Sequence, residues 1–176
     1  MKPVDGPDLS DQELRQYSRE HVHYELWMFL RLGQYLMESP QPGDDQGRVI
    51  RNAVIESFVI HLRNLIAFLY SVRVQTKDII AADYFLDAGN WYTKRPPISR
   101  ELRVARERSH KEIIHLTTER ISGTPPQKGW PVSALVREIK QLMGSFADLA
   151  STERLDPAIQ KVISQPAPVY TFDKSS

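Results

Sequence analysis

A chain of 176 residues, 41% hydrophobic and 26% charged, is long enough for one substantial core, too short for two, and not disordered in composition. Its formal net charge of +1 supplies no global field for nucleic acid or an anionic membrane, so any basic surface has to be local. The absence of cysteine excludes a disulfide framework, thiolate metal sites and a cysteine nucleophile.

Residues 1–9 hold two prolines and a glycine and read as a flexible lead-in without an apolar signal core. Ser10-Asp11-Gln12-Glu13 matches a capping box, in which serine and glutamate satisfy exposed amides at a helix start. The first helix is expected to run to about Glu38, ended by Pro40, Pro42 and Gly43. Leu14, Tyr17, Tyr24, Trp27, Met28, Leu32, Tyr35 and Leu36 are expected on or near its buried side. A second long helix is expected from about Asp44–Arg48 to about Ser71. Its segment Glu56 to Tyr70 mixes eight large apolar residues with Glu56, His61, Arg63 and Asn64. The apolar residues cover most of the circumference, so these polar groups should be drawn into or beside the core, and burial without a partner is costly. Partners are expected from the segment Arg108 to His115. Arg63 also interrupts the longest apolar run, so no membrane span is expected and the cytoplasm is the expected compartment.

Lys77 to Leu86 suggests a short helix, and Ala88 to Pro97 reads as a loop broken by Gly89-Asn90 and Pro96-Pro97. Within it, Trp91 and Tyr92 beside Lys94 and Arg95 are expected to pin the loop to the bundle rather than to stack on a base. Ser99 is an N-cap candidate for a third long helix to about Ile121. Leu135, Ile139, Leu142, Phe146 and Leu149 step by four, three, four and three, which lays them on one helical stripe. Asp156-Pro157 opens a short final helix to about Ser164, and residues 165–176 form a flexible tail. No strand alternation is visible. The expected fold is all-α: a single bundle over residues 10–164 with about five to six helices, three of them long.

Two polar strips could carry chemistry. On the second helix Ser57, His61, Asn64 and Phe68 share one face, with Glu56 and Arg63 beside them. They read either as a ligand or general-base site or as a buried network that fixes helix register. On the third long helix Arg108, Glu112, His115 and Glu119 share one face. A guanidinium and an imidazole two turns apart can grip a phosphodiester, the arginine neutralising charge and the histidine moving a proton. The alternative is two ordinary four-apart ion pairs.

An all-α chain with Arg108-Ser109-His110-Lys111-Glu112-Ile113-Ile114-His115 resembles the HEPN superfamily, whose Arg-x(4–6)-His motif it fits at the longest spacing. Ser109 departs from the Asn, Asp or His that commonly follows the arginine. The resemblance implies a dimerising four- or five-helix bundle over residues 10–150. In active members it implies a metal-independent ribonuclease site, often in a toxin or phage-defence protein, while inactive members act as binding or scaffold domains. By this resemblance Arg108 and His115 are the catalytic pair and RNA is the partner. From the polar strips themselves His61, Arg63, Asn64, Glu56, His110 and Glu112 are the accompanying candidates for binding residues. No cofactor is implied.

A metal site is not expected. His21 and His23 lie about 200° apart on a helix, so they could not chelate one ion without distortion. A homodimer is expected, because the apolar surface of the second helix and of the Leu135–Leu149 stripe exceeds what one bundle readily closes. Two functional classes stay open: an RNA-directed protein, with a metal-independent endoribonuclease as its enzymatic form, and a non-enzymatic helical interaction or scaffold protein with a protein partner.

Overall fold

The computed structural model describes residues 6–72, 75–109, 111 and 129–165, and among these there is no β-strand. Chain order gives α1 (Asp11–Tyr17), a π turn (Ser18–Val22), α2 (His23–Glu38), α3 (Asp45–Tyr70) and a 3-10 turn (Ala81–Tyr84). These are followed by α4 (Ala88–Lys94), α5 (Arg100–Arg108), α6 (Val132–Leu149) and α7 (Ala158–Ser164). The protein is thus an all-α bundle, as its periodicity requires.

The first helix starts where the capping box places it. Ser10 Oγ accepts from Glu13 N at 3.2 Å, and Glu13 Oε2 accepts from Ser10 N at 2.8 Å. The Ser10 hydroxyl also donates to Glu13 Oε2 at 2.7 Å, and that bond first, then the one from Ser10 N, hold the Glu13 carboxyl below its ordinary range. From α1 to α2 the helix is interrupted only by the π turn. Leu14, Ser18, Val22 and Leu26 are all buried and follow one another at four-residue steps. On an ideal α-helix each such step overshoots a full turn by about 40°, so three in succession would swing the stripe about 120° off the core. The wider π turn absorbs that drift. Beyond it the stripe continues through Phe29, Gly33 and Leu36, which leaves Tyr24 and Trp27 48% and 39% exposed rather than buried. Ser18 anchors the turn: its hydroxyl donates to Arg15 O at 2.7 Å and accepts from Asp156 N at 2.9 Å.

α2 packs chiefly on α3, and on α6 and α7. Phe29 stacks on Phe58 with ring centroids 4.8 Å apart. Gly33 makes this approach possible, since a Cβ there would sit 2.5 Å from Val136 Cγ2 and 3.2 Å from the Phe58 ring. α6 buries Leu135, Ile139, Leu142 and Phe146 along the expected stripe, while Leu149, at its end, is exposed.

α3 divides in two. From Phe58 onward it buries Phe58, Val59, His61, Leu62, Leu65, Ile66 and Leu69, whereas no residue between Asp45 and Ser57 is buried. Among the described residues α3 alone is long and apolar enough to cross a membrane by length and composition, a test that core helices also pass.

Two expectations are corrected. The segment Ala88 to Pro97 is not a loop: Asp87 Oδ1 caps α4 by accepting from Gly89 N at 2.8 Å. Trp91, buried, then donates its Nε1–H to Leu69 O at 2.9 Å, a tertiary bond that closes the C-terminus of α3. Arg95 donates to the same carbonyl at 3.0 Å, its guanidinium between the Tyr70 and Tyr92 rings. The short helix expected over Lys77–Leu86 shrinks to the 3-10 turn. There Asp83 Oδ2 accepts from Ile80 N, and Phe85 turns into the aromatic cluster of Phe68, Tyr84, Trp91 and Phe146. The third long helix is described as α5, with Ser109 and Lys111 continuing in π conformation. Its expected extension to Ile121 lies outside the described residues.

Arg154 joins the two ends of the fold, donating to Asp11 Oδ1 at 2.6 Å, Asp83 O at 3.0 Å and Phe85 O at 2.7 Å.

Candidate functional site

The polar groups of α3 separate by face. His61 is 8% exposed and turns toward α2, where its Nδ1–H donates to Glu25 Oε2 at 2.7 Å. Asn64, one turn on, donates Nδ2–H to the same oxygen at 3.2 Å. The Tyr24 ring meets His61 edge-on at 5.7 Å. The partner of this seam is therefore Glu25 of α2, not Arg108. Glu25 sits between the core residues Val22, Leu26 and Phe29, and that position was the available signal: a carboxylate beside an apolar stripe needs a donor. Glu56 and Arg63, expected in or beside the core, are exposed. They occupy the opposite side of α3, where their charges keep their hydration.

Glu25 and Asn64 also line a crevice of about 440 Å³ between the π turn, α3 and residues 77–80. Its walls carry Tyr17 and His21, whose rings lie 4.6 Å apart, and the apolar surfaces of Val22, Leu65, Phe68, Ile79 and Ile80. Burial, and then the charge of Glu25, raise the Tyr17 phenol above its ordinary pKa, so it stays protonated through the neutral range. The sequence reading did not find this crevice, because a single extra residue in the π turn sets its rim.

α5 is different in kind. Ser99 caps it, accepting from Leu102 N at 3.0 Å and donating to Glu138 Oε2 at 2.6 Å on α6. Leu102 and Ala105 face the core, which leaves Arg100, Arg103 and Arg106 in solvent. Arg108 is half-buried. Its guanidinium lies 4.2 Å from the centroid of the Trp130 ring, and Nη1 donates to Gly129 O at 3.1 Å. Arg100, Arg108 and Trp130 border one surface cavity of about 500 Å³. Arg106 and Lys111 border another, of about 430 Å³, whose far wall is Arg63 of α3. The structure thus brings Arg63 to the basic helix and takes His61 and Asn64 away from it. His110, Glu112 and His115 lie outside the described residues. Among the described residues no group of three His, Asp or Glu side chains could hold a metal ion.

The fold and these sites define a helical-bundle protein with one largely buried polar seam and one solvent-facing basic helix. Comparison with protein-family models, with curated proteins and with solved structures gave no match.

Proposed function

We propose that the protein is an RNA-directed helical domain of HEPN-like type whose nucleic-acid face is α5. One observation supports this above the others. Arg100, Arg103, Arg106 and Arg108 against Glu101 and Glu107 concentrate a net +2 on one helix of a chain whose total is +1, and Lys111 and Arg63, which border the same cavity as Arg106, extend that field. Such a ridge suits a phosphodiester backbone, and Trp130 beside Arg108 adds an aromatic surface of the kind that stacks with bases. In the nuclease form of this reading Arg108 neutralises phosphate charge in the transition state and His115 exchanges the proton of the attacking or leaving oxygen, without a metal.

The test is a labelled single-stranded RNA titrated with the full chain at 50 and 200 mM salt. About four phosphate contacts would weaken binding roughly 50-fold across that range. Cleavage that persists in EDTA and is lost in His115→Ala with unchanged helicity supports the nuclease form. Loss in EDTA alone overturns it.

A second reading is favoured by the state of the polar groups themselves. His61 and Asn64 are satisfied by Glu25, and Arg108 already packs on Trp130 and Gly129, an arrangement that suits a non-enzymatic interaction module. Under it RNA stays intact, and His61→Ala costs a few kcal/mol of stability, as loss of a buried hydrogen-bonded group does (about 1–3 kcal/mol).

A further inference from the structure

The crevice beside the π turn is independent of the basic helix and has its own chemistry. We propose that it binds a small organic ammonium ion with an aryl or alkyl body, the cation resting on Glu25 and the body on Phe68, Val22 and Ile79.

Four observations carry this. First, Glu25 is held in place before any ligand arrives: His61 and Asn64, one turn apart on α3, both donate to Oε2, which leaves Oε1 out of either bond. A carboxylate fixed in this way gives up little freedom on binding. Second, its side chain is 28% exposed, open enough for a ligand to reach and withdrawn enough from water to strengthen a charge contact. Third, Tyr17 and His21 stand at the rim with rings 4.6 Å apart, and a π face beside a carboxylate is a recurrent surround for ammonium groups. Fourth, the charges on the walls select the sign of the ligand. Glu25 and Asp78 are anionic and Lys77 cationic, a net of −1.

A metal ion is disfavoured by the donor chemistry. The groups turned toward Glu25 are the Nδ1–H of His61 and the Nδ2–H of Asn64, which present protons rather than lone pairs. The volume of about 440 Å³ falls within the range of about 300–1,000 Å³ typical of small-molecule sites.

The experiment is a ¹H–¹⁵N NMR titration of the full chain with three probes of one shape: phenethylamine, 3-phenylpropionate and 2-phenylethanol. Phenethylamine should give saturable shifts at Tyr17, His21, Glu25, Asn64 and Ile79, with the acid and the alcohol at least tenfold weaker. Glu25→Gln should weaken the amine at least tenfold. Ala67→Trp, at an exposed position on α3 that lines the crevice and also borders the Arg63–Arg106 cavity, leaves Glu25 intact and should abolish the shifts while the rest of the spectrum is retained. Equal binding of all three probes overturns the charge selection. An absence of saturable shifts, or shifts centred elsewhere, overturns the site. RNA binding bears on neither outcome.

Discussion

The seam between α2 and α3 and the ridge of α5 are both strips of polar and charged side chains, yet they differ in everything that decides a role. In the seam two donors converge on one carboxylate oxygen, and His61 is nearly sealed. On the ridge three arginines stand in solvent and only Arg108 is packed down. A polar group withdrawn from water stabilises the fold only while its partner is present, whereas an exposed cation contributes little to stability and is available to bind. Burial, rather than residue identity, separates a lock from a landing surface.

The sharpest way to break this contrast is Glu25→Ala. It strips the acceptor from both His61 and Asn64 and should cost about 3 kcal/mol, read as a shift of the urea midpoint at unchanged slope. A loss below about 0.5 kcal/mol would make the seam incidental. Next comes the combined Arg100→Ala, Arg103→Ala and Arg106→Ala variant. It should leave the melting temperature within about 2 °C, since each side chain is exposed. RNA affinity should fall about 30-fold at moderate salt, with the log–log salt slope flattened by about 2. A protein that unfolds instead would put the ridge among the structural elements.

A smaller effect is expected from Tyr84→Phe, which removes the hydroxyl that donates to Leu14 O at 3.3 Å and should cost about 1 kcal/mol at neutral pH. Burial raises the Tyr84 phenol far above its ordinary pKa of 10.0, and burial raises Tyr17 and Tyr70 as well. The unfolded chain releases these protons first. The stability they contribute is therefore fully present below pH 10 and lost as pH rises through the raised values. Urea midpoints should fall above about pH 10 in the wild type and fall less steeply in Tyr84→Phe. The mildest change is Ser99→Ala, about 1 kcal/mol or less, which removes the cap of α5 and its bond to Glu138. If RNA affinity drops with it, the ridge depends on how α5 is seated against α6.

Much of the fold was legible in the sequence because its signals are local. The Ser10–Glu13 box, the Leu135–Phe146 stripe and the start of the last helix after Asp156-Pro157 follow from capping and periodicity within a few residues. The helix at Ala88–Lys94 was not legible, since Gly89 and Asn90 argue for a loop until the Asp87 cap and the Trp91 bond to Leu69 O are known. Of the candidate site, the polar character of His61 and Asn64 could be read, but not their partner. Glu25 is 36 residues away from His61, and only the antiparallel packing of α2 on α3 brings them together. Arg63 was expected beside the core and instead joined the basic helix, because the periodicity of so apolar a segment does not say which side meets α2.

The π turn at Ser18–Val22 makes the amino-terminal helix two segments of different phase held in one uninterrupted rod. Deleting one residue there would yield a more regular helix and a worse protein: every side chain upstream would rotate by about 100° relative to α2. Leu14 would then leave the core, and the Asp11 carboxylate would swing away from Arg154. The irregularity is thus a timing element, whose single surplus residue keeps one end of the molecule in step with the other.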